Sequence, residues 1–245
     1  MTSTASPVST APQELSPGLV VQRITPPLKL ADFRLIAFDM DSTLINIECV
    51  DEIADAAGRK AEVAAITEAA MRGEIADYKE SLRRRVALLK GVSVAHMEQV
   101  YHHRLQLNPG AAALVAKCQY AGLKVLLVSG GFTFFTDRIR DRLYIDYARS
   151  NVLEVADGVL TGHLVDQPWG DIVDGDEKRR TLLQTCEKLG IAPGQAIAMG
   201  DGANDLPMMG VAGLSVAYHA KPAVREKADV AINSGGLDRL LEVLR

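Results

Sequence analysis

Short apolar runs, each closing on a polar or glycine-rich step, alternate with segments of helical period along most of the chain. Leu35-Ile36-Ala37-Phe38 lies within a predicted strand at 34–38, and further buried strands are predicted at 123–128 and 196–199. Shorter strand candidates fall at 214–217 and 230–232. Another lies at 19–24, stopped by Pro26 and Pro27. Helical spacing predicts helices over 110–120, 133–143, 178–189 and 237–244. Asp157-Gly158 between apolar runs at 151–155 and 159–165 reads as a hairpin. From 47 to 107 the pattern is almost purely helical, without proline and with turns expected near Gly58, Gly73 and Gly91. Stripes such as Val63, Ile66, Ala70 and Leu82, Val86, Leu89 can bury their apolar faces only by packing as a small bundle.

Alternating strands and helices predict an α/β fold: a mostly parallel, Rossmann-like sheet in three layers, with an inserted helical-bundle cap and a small β-hairpin flap. The expected division is a disordered tail at 1–18, a core at 31–47 and 107–245, and a cap at 48–106. In open parallel sheets, polar residues just past the strand C-termini share one crevice. Three strands here end that way, at Asp39, at Ser129-Gly130-Gly131 and at Gly200-Asp201.

Composition adds mild bounds. With 245 residues, 48% apolar, 24% charged and a net charge of −4, the chain can bury a large core and gives no reason to expect nucleic acid, a local basic surface staying open. No apolar stretch approaches a membrane span of roughly 18–20 residues. The Ser/Thr/Pro/Ala-rich start lacks the basic and apolar parts of a signal peptide. Cys49, Cys118 and Cys186 fit a reducing compartment, expected to be the cytoplasm. The five histidines lack ligand spacing, and Cys49 reads as core-facing.

Phe38-Asp39-Met40-Asp41-Ser42-Thr43 places two carboxylates at a strand end, where burial is costly unless a cation or bound group compensates. An Asp carboxylate can attack phosphorus, and a second can move the proton. Carboxylates holding Mg²⁺ or Ca²⁺ at the surface, or an Asx cap, explain the pair equally well. Ser129 before two glycines suits phosphate oxygens, or an ordinary N-cap and turn. Lys178 near a helix start opposes the dipole unless it meets an anion, although a solvated lysine needs no such partner. Gly200-Asp201-Gly202-Ala203-Asn204-Asp205 can bring oxygen ligands to Mg²⁺, or form a capped turn.

As a set, FDMDST, VSGG at 128–131, Lys178 and GDGAND at 200–205 resemble the core motifs of the haloacid dehalogenase-like phosphohydrolases. The longer runs FDMDSTLI, AMRGE, SGGFTFF and GDGANDLPM look like those of the phosphoserine phosphatases within them. The resemblance covers the chain from about Phe33 onward. It implies Mg²⁺-dependent hydrolysis of O-phospho-L-serine, the last step of serine biosynthesis, with Asp39 as nucleophile and Asp41 as general acid/base. It implies Mg²⁺ on Asp39, the Asp41 backbone carbonyl and Asp201, supported by Asp205, and phosphate on Ser129, Gly130 and Lys178. Glu48 would take the substrate ammonium and Arg85 its carboxylate, with Met71, Tyr78 and Asn204 lining the pocket. Spacing alone does not pick Arg85 from Arg83-Arg84-Arg85. The segment before Phe33 is too short for the regulatory domain some relatives carry. The expected partner is a small phosphate monoester, neither nucleic acid nor membrane, and monomer and homodimer both stay open. Three rivals remain: another amino-acid phosphate such as phosphothreonine or phosphohomoserine, phosphoryl transfer to an alcohol, and a non-catalytic phosphate-binding module.

Overall fold

The computed structural model describes residues 11–71, 74–75, 77–170 and 172–245, without the side chains of 70 and 71. A hairpin, β1 (Gln13–Ser16) and β2 (Leu19–Val21), leads to β3 (Leu35–Phe38). Next come α1 (Cys49–Ala56), α2 (Lys60–Met71), α3 (Tyr78–Ala87) and α4 (Val94–His103). The alternation then resumes with α5 (Ala111–Tyr120), β4 (Lys124–Phe132), α6 (Thr133–Leu143) and β5 (Tyr147–Asn151). A hairpin of β6 (Leu153–Ala156) and β7 (Val159–Leu164) precedes α7 (Gly175–Leu189) and β8 (Ala196–Gly200). The chain closes with α8 (Leu206–Met209), β9 (Leu214–Tyr218), α9 (Pro222–Arg225) and β10 (Val230–Ile232), then a short tight helical segment at Leu237–Glu242. None of the described helices is long and apolar enough to cross a membrane.

The main sheet runs β1-β2-β10-β9-β8-β3-β4-β5, parallel from β10 to β5, with β2 and β1 antiparallel on one edge. Its middle strands are apolar on both faces because helices cover both. Ile36, Phe38, Val125 and Leu127 enter one core with Leu114 and Ile139, while Leu35, Ala37, Leu126 and Val128 meet Leu182, Cys186 and Met208 on the other side. This is the expected α/β class, with α1–α4 as a helical bundle beside the sheet and β6–β7 as a separate small hairpin.

Three segments differ from the sequence reading. Gln13–Ser16, assigned there to the tail, pairs with β2. Gly18 at φ +75° makes the turn, and Arg239 donates to the Pro17 carbonyl at 2.6 Å. Side-chain anchoring by a residue more than 200 positions later leaves no local signal. The strand predicted to end at 128 runs through both glycines to Phe132. Tyr147–Asn151 is an unforeseen edge strand, too polar to read as buried. The turns near Gly58 and Gly91 are present, at φ +74° and +84°, and Gly73 lies outside the described residues.

Two connections tie the bundle down. Ile45 and Leu107 form a bridge, and the Asn46 N–H donates to Gln106 O at 3.0 Å, zipping the segments that enter and leave the bundle. The β6–β7 hairpin is clipped to the α3–α4 turn by Gly91 N–H to Leu160 O and Leu160 N–H to Val92 O, both 2.8 Å. Asn108 then pins the turn after β3: its Nδ2 donates to the carbonyls of Thr43 (2.8 Å) and Ile45 (3.0 Å). Asn108→Ala strands these carbonyls and should lower unfolding free energy by about 1–3 kcal/mol in urea titration. Asn108→Asp, which cannot donate, should not restore it.

Candidate active site

At the C-terminal end of β3 the backbone leaves strand geometry at once. Ile45 N–H reaches back to Met40 O at 3.0 Å, and Ser42 takes φ +56° to close this wide turn. Asp39 and Asp41, on either side of Met40, both line one cavity. That cavity, about 390 Å³, lies between the sheet and the bundle. From the sheet side Ser129, Gly130, Asp201 and Asn204 line it; from the bundle side, Glu48, Tyr78 and Arg85. Met71 closes α2, and its side chain lies outside the described residues.

Behind the cavity wall, Lys178 is fully buried on α7 and donates to Asp39 Oδ1 at 2.6 Å and Asp205 Oδ1 at 2.7 Å. Lys178 does not open its helix: α7 starts at Gly175, with Asp174 capping through the Glu177 N–H, so the lysine sits a full turn in. Asp205 Oδ2 accepts the N–H groups of Asp201 (3.2 Å) and Gly202 (3.0 Å), shaping the loop after β8. Gly200 leaves no alternative there, because a Cβ would come within 2.3 Å of the Asp205 carboxylate. Thr43 Oγ1 donates to Asp201 Oδ1 at 3.1 Å, tying the two acidic loops together. Ser129 Oγ is buried and accepts the Gly131 N–H at 2.9 Å. Gly130 meets the Tyr78 hydroxyl so closely that a Cβ would stand 2.1 Å from it.

Charge crowding shifts these groups. Burial drives the Asp39 carboxyl well above the usual range, with Asp205 and Asp201 adding to this and Lys178 opposing it. Burial alone would lower the Lys178 ammonium, but Asp205 and Asp39 outweigh it and the group stays charged. Asp41 is pushed up to about 7 by burial and then by Glu48, against the pull of Cys49. Asp201 rises to about 6 for the same first reason, with Asp205 next. Glu48, which accepts the Ser42 hydroxyl at 2.6 Å, is also raised by burial. Burial takes the Tyr78 phenol up to about 12. A carboxyl poised near neutrality can give a proton and later take one, which suits Asp41 better than any neighbour.

The donor set fits a hard divalent ion. Asp39, Asp201 and Asp205 each present a carboxylate oxygen, all within 4.8 Å of one another. Asp205 already spends both oxygens on Lys178 and backbone N–H groups, so it suits support more than ligation. Sequence reading missed several participants. Cys49 is buried as expected, yet its thiol donates to Asp41 Oδ1 at 3.1 Å. Asp51 lines the cavity three residues after Glu48, a helical spacing that could have revealed it. Lys221, at the rim, and Thr43 had no signal beyond residue type.

An α/β core with paired acids past its first core strand, and a lysine–aspartate pair behind them, defines a class that the comparisons bear out. The sequence profile of the haloacid dehalogenase-like hydrolases matches residues 36–210. A phosphoserine phosphatase of Polaromonas sp. is 80% identical over 96% of this chain and 99% of its own length. Among solved structures, a haloacid dehalogenase-family hydrolase from Salmonella enterica serovar Typhi superposes with TM-score 0.81 at 41% identity, over 89% of this chain and 72% of that one. A phospho-aspartyl intermediate analogue of phosphoserine phosphatase gives 0.79 at 38%, over 87% and 99%. The chain belongs to the haloacid dehalogenase-like hydrolases and, within them, to the phosphoserine phosphatase family.

Without metal, the raised carboxyls dictate a sign. Their folded-state values lie above those of the unfolded chain, so the folded protein holds extra protons and stability falls as pH rises from about 4 to 7. Protein in EDTA should therefore melt lower at pH 8 than at pH 5. Added Mg²⁺ should raise the melting temperature more at pH 8, where it neutralises charges that protons no longer cover.

Proposed function

We propose that this chain hydrolyses O-phospho-L-serine to L-serine and phosphate through an aspartyl-phosphate on Asp39. The observation that carries this reading is the shared cavity: Asp39 and Asp41 face it from the sheet, while Glu48 and Arg85, an acid and a base apt for an amino acid, face it from the bundle. The activity of the Polaromonas relative and the phospho-aspartyl analogue of a second family member support it.

An Asp39 oxygen forms the bond to phosphorus as the serine oxygen leaves. The protonated Asp41 carboxyl gives its proton to that oxygen, so serine departs neutral at the hydroxyl. Asp41, now ionised, takes a proton from water as the water oxygen bonds to phosphorus. The phosphorus–Asp39 bond then breaks, releasing phosphate and restoring the carboxylate. Lys178 anchors Asp39 by one oxygen and, with Ser129 and the Gly130 backbone, balances phosphate charge. Asp39, the Asp41 carbonyl and Asp201, with Asp205 in support, would hold Mg²⁺, which would supply charge shielding for the phosphoryl group. Glu48 binds the substrate ammonium and Arg85 its carboxylate, with Tyr78, Met71 and Asn204 around them. The helices at 48–106 act as a cap that excludes water. Three free buried cysteines support a reducing, cytoplasmic setting for this last step of serine biosynthesis.

Asp39→Asn should remain folded and lose at least about 10³-fold in kcat with phosphoserine and Mg²⁺. Undiminished phosphate release from this variant sinks the mechanism. Comparing kcat/KM for phosphoserine, phosphothreonine and phosphohomoserine tests the substrate. Glu48→Gln should cost amino-bearing esters about tenfold or more while sparing amino-free ones.

A further inference from the structure

Two side-chain polar atoms among the described residues are buried without any hydrogen-bond partner: Asp51 Oδ1 and Arg85 Nε. Both residues line the active-site cavity, Asp51 from the first turn of α1 and Arg85 from the last turn of α3. Arg85 is the strongest charge acting on Asp51, and Asp51 acts in turn on Glu48. The neighbouring acid Glu52 is engaged elsewhere, accepting from Arg104 at 2.7 Å, so Asp51 is the carboxylate of that turn left facing the cavity. An acid in a first turn is favoured by the helix dipole alone, but that effect does not call for an unpartnered buried oxygen on the cavity that an unpartnered guanidinium nitrogen also lines.

We infer that Asp51 is a positioning residue for Arg85: it supplies the counter-charge that aims the guanidinium into the cavity, and so sets the preference for phosphate esters that carry a carboxylate. Arginine has five N–H donors in a rigid fork. A substrate carboxylate uses the outward pair, and Nε needs a second acceptor on the protein side. Asp51 Oδ1 is an unsatisfied acceptor of opposite charge lining the same cavity; it is not hydrogen-bonded to Nε, so its counter-charge acts across the cavity. With Glu48 and Asp51 ionised and Arg85 charged, the recognition end of the cavity carries one net negative charge, which welcomes an ammonium and admits a carboxylate only at the arginine. Asp51 neither touches phosphorus nor moves a proton. Its effect reaches the reaction through the orientation of Arg85.

This inference rests on the substrate reading above, and the test separates the two. Wild-type preference for O-phosphoserine over O-phosphoethanolamine, which keeps the ammonium and lacks the carboxylate, tests the substrate reading by itself. Asp51→Asn tests the positioning role. Its kcat/KM for phosphoserine should fall about tenfold, carried by KM, while that for phosphoethanolamine stays within about twofold. In an Arg85→Ala background Asp51→Asn should add almost nothing, because the group it positions is gone. Asp51→Glu, which keeps the charge, should recover part of the loss and controls for a folding defect, with melting temperatures measured on every variant. An equal loss on both esters would show instead that Asp51 binds the ammonium. That result, full additivity with Arg85→Ala, or no effect on either ester would each overturn the proposal.

Discussion

A single buried ammonium organises this molecule's chemistry. Lys178 stands between Asp39 and Asp205 with no solvent contact, and the three residues come from α7, the end of β3 and the loop after β8. Burying charges is costly unless each finds a close partner, and removing one partner from such a group typically destabilises by about 3–5 kcal/mol. The trio therefore locks three elements into one arrangement. Asp205 extends that lock to the backbone of Asp201 and Gly202, and Thr43 closes it back to the turn after β3.

That lock explains why two chemically identical acids two residues apart are not equivalent. Asp39 faces Lys178 and stays anchored. Asp41 faces Glu48 and Cys49, with no cation bonded to it among the described residues, and burial holds its carboxyl near neutrality. The division comes from the turn at Met40, since a continued strand would have sent the two side chains to the same face and into the same surroundings. Each environment is built by residues far away in sequence.

The sheet, the bundle and the four core motifs were legible from hydrophobic period and from residue types at strand ends. Strands buried on both faces are continuous apolar runs, and turns carry glycine, so β3, β4, β8 and the bundle breaks at Gly58 and Gly91 could be read locally. What escaped depended on distant partners. β1 is held by Arg239, the polar edge strand β5 has no apolar signature, and the β3 turn is pinned by Asn108. Within the site, acids past strands were visible as chemistry, whereas Cys49, Asp51 and Thr43 matter only for what they face. Arg85 shows the limit well: three consecutive arginines look alike in sequence, and only the helix face separates the one that lines the cavity from its neighbours.

The strand order carries a consequence for how the molecule comes into being. β3 lies between β4 and β8, so one of its edges stays unpaired until residues 196–200 have joined it. Asp39 is made early, but its lysine, its loop partner Asp205 and its strand neighbour are all made late. On a growing chain the bundle and the β3–β4 pair can form first, leaving an apolar edge and unneutralised acids exposed. The catalytic centre is thus completed at the last stage of folding, and a chain cut short before β8 holds most of the site's residues yet lacks the Asp201 and Asp205 that close it.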